Sequence, residues 1–131
     1  MSETTGWQEF IARVRSRGVL GKQLYVITTE PAGDLDAVRE NMGDHLAYQE
    51  SLEASGVMFA AGPFADDAER EWSGAGMVIV RAASLDEARA IADADPMHAR
   101  GARRYRIRPW LLNEGSLTLR VTYSDGAREI I

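Results

Sequence analysis

The chain holds two histidines, His45 and His98. His45 stands in the stretch GDHLAY (43–48), and a second stretch, DADP (93–96), carries Asp95 far along the chain. An imidazole is the side chain whose ordinary pKa lies near neutrality, which makes it the natural general acid or base. A carboxylate that accepts one ring N–H fixes the tautomer and steadies the imidazolium. His45 and Asp95 are therefore read as a candidate catalytic pair. A plainer reading stays open beside it, with His45 a packed helix residue and Asp95 a turn former bonding the backbone that follows it. Asp93 competes for the same role but reads better as a solvated helix end.

Around this pair the sequence offers further groups. His98 is read as a substrate-side residue near the pocket rim. With His45, Asp44 and Asp95 it could in principle hold a metal, yet no His pair one turn apart and no HExxH motif supports that. No metal and no cofactor is expected. Arg100, Arg103, Arg104, Arg106 and Arg108 form a basic row, in which Arg104, Arg106 and Arg108 alternate along a strand and share a face. They are either a solvated edge or an intersubunit ion-pair strip, or one of them, with Arg106 the candidate, clamps an anionic substrate oxygen. Arg81 is a second candidate clamp, on the strand expected to be central. Trp72, Tyr48 and Phe64, with Phe59 and Trp110, could wall a pocket for a flat ring, although packing is the usual use of such residues. Trp72 precedes the glycines of SGAG (73–76), where a lid over a site would fit. Those glycines lead into a strand rather than a helix N-terminus, so they do not read as a phosphate loop.

Composition bounds the partners. The chain has 131 residues, the length of one domain, and a net charge of -5, which argues against nucleic-acid binding. It has no cysteine, which excludes disulfides, thiolate nucleophiles and cysteine-based zinc sites and fits a cytoplasmic location. No apolar run is long enough to span a membrane. The polar N-terminus does not read as a secretory signal, and its first five residues are expected to fray.

The elements that must carry these residues follow from periodicity. Trp7, Phe10, Ile11 and Val14 mark one face of a helix over 6–17, ending at Gly18. A strand over 20–29 follows. Asp34 caps a turn or two of helix over 35–42, Gly43 interrupts, and Asp44 caps a second helix to about Ser55, with Leu46 and Leu52 facing the core. This would put His45 in a first helical turn, where the helix dipole favours the neutral imidazole and Asp44 opposes the shift. Strands follow over 57–64 and 77–83. Ser84 and Glu87 form a capping box for the next helix. DADPMHARG turns the chain into a strand over 102–112. The tail folds as a hairpin over about 117–130, with Asp125-Gly126 as a type I′ turn.

The resulting order, β–α–β–β–α–β, is the ferredoxin-like plan of an α+β protein, extended by an N-terminal helix and a C-terminal β-hairpin. Helices cover one face of the sheet. Tyr25, Ile27, Phe59, Val78 and Val80 are read as making the other face apolar, and a second copy of the chain is the simplest cover. That gives a homodimer, or a higher homo-oligomer, built sheet to sheet.

HLAYQESLEASGVMFAAGPF (45–64), GAGMVIVRAASLDEARAIADADPMHARG (74–101) and IRPWL (107–111) together resemble the YCII-related proteins. The resemblance runs from about residue 23 to 112 of a single domain spanning 1–131. It implies a dimeric α+β barrel and an active site built on the helix histidine, here His45, and the aspartate of the Asp-Pro turn, here Asp95. One branch of that family is a dehydrochlorinase acting on a chlorinated hydroxyhydroquinone. Many members carry a serine just after the glycine that opens the third strand; Gly76 stands there in this chain. The expected function is cofactor-free proton transfer or elimination, a lyase or isomerase chemistry, on a small oxygenated molecule of aromatic or quinol type. A non-catalytic dimeric binding module and a cofactor-free oxygenase are the alternatives.

Overall fold

Alternating side chains build the sheet. In β1 (Lys22–Pro31), Tyr25, Ile27 and Thr29 are buried on one face. β1 pairs antiparallel with β3 (Gly76–Val80), Tyr25 opposite Val80 and Thr29 opposite Gly76. β2 (Met58–Pro63) pairs antiparallel with the other side of β3, with a bulge between Met58 and Ala60. With β4 (Arg103–Leu112) the order is β2-β3-β1-β4, so β3 is an interior strand and β4 an edge. The structure, a computed structural model, describes residues 3–131; the fraying expected at the N-terminus falls partly on residues 1 and 2, outside the described ones.

Two helices follow from their caps. α2 (Leu35–Ala54) starts where Asp34 accepts the backbone N–H groups of Asp36 and Ala37, at 3.0 and 3.3 Å. It then runs unbroken through Gly43, whose cost in a helix interior is only about 1 kcal/mol. The expected break at Gly43 is therefore absent. His45 lies in the middle of a long helix, and the argument from the helix dipole does not apply to it. Asp44 pairs with Arg100 at 2.7 Å instead of capping. α3 (Leu85–Asp93) starts with Ser84 accepting the Glu87 N–H at 3.1 Å, while the Glu87 carboxylate takes the N–H of Ala83 at 2.7 Å, one residue before the cap. The stretch expected as a plain turn after α3 contains a short helix, α4 (Pro96–Ala99).

The main core joins Tyr25, Ile27, Val78 and Val80 of the sheet to Ala88 and Ala92 of α3. Burying each aliphatic side chain contributes about 1.5–3 kcal/mol. These strand residues thus belong to the helix-covered face, not to the face left for a partner as the sequence was read. The opposite face carries Val26, Thr28, Met77 and Ile79, set by the same register. Arg104, Arg106 and Arg108 are exposed and alternate with the half-buried Tyr105 and Ile107, which pack on the core, so the arginines point to the opposite face. A second cluster, Val38, Met97 and Ala102 with Met42 beside it, pins α4 near α2.

The chain divides into two compact units: Gln23–Leu111, and the segments up to Lys22 and from Leu112 onward. In the second unit, α1 (Trp7–Ser16) buries Ile11 and Val14, while Trp7 and Phe10 stack at 6.0 Å between centroids. β5 (Leu119–Val121) and β6 (Arg128–Ile130) pair antiparallel. Their connection is longer than a two-residue type I′ turn: the Thr122 N–H bonds Ala127 O at 3.1 Å, and Asp125 accepts from the Thr122 hydroxyl and from the Ala127 N–H.

Candidate active site

On α2, Met42, His45, Leu46 and Gln49 recur at helical spacing and form one wall of a cavity of about 460 Å³. Across from them stand Gly62 and Pro63 of β2, Gly76 and Val78 of β3, and Thr29 of β1. Trp72 and Ala75 line it from the loop before β3, and Asp95, His98 and Arg103 close it from α4 and the start of β4.

Asp95 is only 5% exposed, and so is His45. The His45 Nδ1 lies 2.9 Å from Asp95 Oδ1 and 2.8 Å from Oδ2. An ionised carboxylate only accepts, so Nδ1 carries the hydrogen and donates. The neutral ring then keeps its lone pair on Nε2, the nitrogen left for the cavity. Asp95 Oδ1 also accepts the Met97 N–H at 2.9 Å and so caps α4. The turn-forming role and the histidine-holding geometry are thus combined in one side chain. Burial pushes the Asp95 carboxyl up, but the His45 and Met97 N–H groups, with the charges of His45 and His98, outweigh it and hold the group below its ordinary value.

His98 is ordered differently. Its Nδ1 lies 2.7 Å from Ala92 O, a pure acceptor, so Nδ1 is protonated and donates. Its Nε2 then accepts from the Thr29 hydroxyl at 3.0 Å. Burial lowers the His98 pKa, and Arg103 and His45 push the same way, against the Ala92 carbonyl and Asp95. The ring packs 4.7 Å from that of Tyr105. Among the described residues, no group of three or more His, Asp or Glu side chains is arranged to hold a metal ion.

Of the residues singled out from sequence, His45, Asp95, His98 and Trp72 meet at this cavity. Trp72 Nε1 donates to Ala75 O at 3.0 Å, which sets its indole on the wall. Tyr48 does not reach the cavity; its hydroxyl donates to Ile91 O at 2.6 Å and ties α2 to α3. Phe64 and Arg106 line a separate hollow with Thr28 and Arg104. Arg81 lies just past β3, where its guanidinium donates to the carbonyls of Gly56 and Met58, both at 3.0 Å, and sits 5.2 Å from the Phe59 ring centroid. Thr29 and Gln49 are wall residues that the sequence did not single out, and Arg103 stood out there only as one of a basic row. Gln49 sits one turn past His45 in the helix expected to start at Asp44, and that spacing is the signal that could have found it. The run of arginines hid Arg103, which shares the inward parity of Tyr105 and Ile107.

The sequence profile of the YCII-related domain matches residues 23–111. The chain belongs to the YCII-related family. Among solved structures, this YCII-related chain is similar to 5-chloro-2-hydroxyhydroquinone dehydrochlorinase (TftG) from Burkholderia phenoliruptrix AC1100, in complex with 2,5-dihydroxybenzoquinone. The two share 26% identity, over 66% of this chain and 92% of that one, with a TM-score of 0.55. No curated protein matches the chain. At Gly76 an added Cβ would stand 3.0 Å from Gly62 O and 3.5 Å from Pro63 Cα, so the close pairing of β2 with β3 favours glycine.

Proposed function

We propose that the cavity is the active site of a cofactor-free enzyme that moves a proton, in isomerisation or elimination, on a small oxygenated molecule of quinol or quinone type. The observation that carries the reading is the buried Asp95 carboxylate taking His45 Nδ1–H through both oxygens, which leaves Nε2 beside a ligand-sized hollow. In an elimination, His45 Nε2 takes the substrate proton, the electron pair of that bond forms the new double bond, and the leaving group departs with its own pair. Asp95 holds the ring in the working tautomer and stabilises the imidazolium. Likeness to a dehydrochlorinase solved with a quinone supports the substrate class. Glycine at position 76 brings no hydroxyl to the cavity, which favours plain proton transfer over halide loss.

The chain is further read as pairing with a second copy through the sheet face opposite the helices. An apolar groove there, in which Phe64 is exposed, Met77 half-buried and Ile79 buried at the floor, supports this.

The test replaces His45 by Gln and follows turnover of hydroxyquinols, chlorinated and not, by absorbance. A fall in kcat on the order of 10²–10⁴ with an unchanged melting curve is expected. Undiminished turnover would overturn the reading.

A further inference from the structure

Arg103 is the outlier of the cavity wall. It is only 7% exposed, yet its neighbours Arg104, Arg106 and Arg108 on β4 lie in solvent. Its Nε is buried with no hydrogen-bond partner, and no ion pair joins its guanidinium to a carboxylate among the described residues. Asp95 attracts it electrostatically but lies beyond ion-pair distance, and both Asp95 oxygens are already engaged by His45 and Met97. His98 also faces it and is pushed by its charge. A guanidinium stays protonated at physiological pH, and burying one without a partner is costly. Evolution of a merely structural wall at this position would be served better by an apolar side chain.

We propose that Arg103 is an anion clamp, and that the cavity takes a ligand carrying a delocalised oxygen anion: a phenolate, an enolate or a vinylogous carboxylate. The planar fork of Arg103 pairs with such an oxygen, or with two neighbouring oxygens bidentately. Seated there, the ligand supplies the partner the buried cation lacks. The same contact would hold negative charge that grows as His45 Nε2 removes a second proton. The assignment rests on the cavity being the substrate site of the proposed function, though not on His45 acting as a base. It also replaces Arg81 and Arg106 as the candidate clamp, since neither lines this cavity.

The probe is 2,5-dihydroxybenzoquinone, a vinylogous acid ionised at neutral pH, set against its neutral 2,5-dimethoxy analogue. Calorimetric titration of the full chain is expected to favour the ionised ring by roughly tenfold or more, as a charge-assisted contact requires. Arg103→Met is expected to abolish that preference while leaving the melting temperature of the free protein unchanged or higher, because an unpaired buried charge has gone. Arg103→Lys, which keeps the charge without the fork, is expected to retain part of the preference and covers the case in which the methionine variant does not fold. Equal affinity of the wild type for the two rings overturns the proposal. So does a preference that survives in Arg103→Met. His45→Gln separates the two readings: lost turnover with intact anion preference supports both, and intact turnover with intact preference sinks only the catalytic one.

Discussion

The Asp95 carboxylate straddles His45 Nδ1 almost evenly, at 2.9 and 2.8 Å, across fifty positions of chain. Because the same group caps α4 through Met97, its two functions can be separated by mutation. Asp95→Asn keeps an oxygen for the Met97 N–H but cannot stabilise an imidazolium, and its amide can impose the wrong tautomer. We expect kcat to drop on the order of 10²–10⁴ with stability within about 1 kcal/mol of wild type. Asp95→Ala also loses the cap and strands a buried N–H, at a cost of about 2–4 kcal/mol. Turnover and urea denaturation of both variants check the split.

Stability should fall with acid in two stages. His98 has a lowered pKa when folded, so below the unfolded value of about 6.5 the unfolded chain binds the proton first, and stability is lost until the pH passes the folded value. Asp95 is likewise held low when folded; its contribution is complete above the unfolded value of about 3.9 and disappears as the pH falls through the folded one. Urea midpoints from pH 8 to pH 3 test this. His98→Asn should flatten the upper stage and Asp95→Asn the lower.

Gly74 precedes the site loop's last turn into β3 with φ of +97°, and an added Cβ would stand 2.6 Å from Pro31 Cγ and 2.8 Å from Leu35 Cδ1. Gly74→Ala should therefore cost about 2–4 kcal/mol by combined backbone strain and overpacking. Gly33→Ala, which meets nothing within 4 Å, is the control and should stay within about 1 kcal/mol. Denaturant unfolding of the pair measures the difference.

Light scattering is expected to give twice the chain mass. Phe64 is 45% exposed and borders the groove on the sheet face opposite the helices. Phe64→Glu should shift the mass to that of one chain by placing a charge in an apolar contact. A monomeric wild type would remove the dimer reading.

The plan of the fold was legible because its signals are local. Strand alternation at Tyr25, Ile27 and Thr29, the Asp34 and Ser84 caps and the apolar run of β3 all survive in the structure. Gly43 misled because the packing of Val38 and His45 on either side carries the helix through a weak residue. Face assignment failed for Tyr25 and Val80 because alternation shows that two faces differ, not which one the helices cover. His45 and Asp95 were named through their chemistry and a family resemblance. The distance between them is a tertiary fact. Arg103 could be singled out only once burial separated it from four nearby arginines of the same appearance.

The first and last strands of the Gln23–Leu111 unit lie side by side, and Ala32 N–H bonds Ala102 O where β1 ends and β4 begins. The strands therefore run in opposite directions, and the unit's entry and exit are next to each other. A short linker can bridge them, so the unit lends itself to circular permutation. New termini opened in the exposed 65–71 loop would leave both the His45 helix and the Asp95 turn uncut.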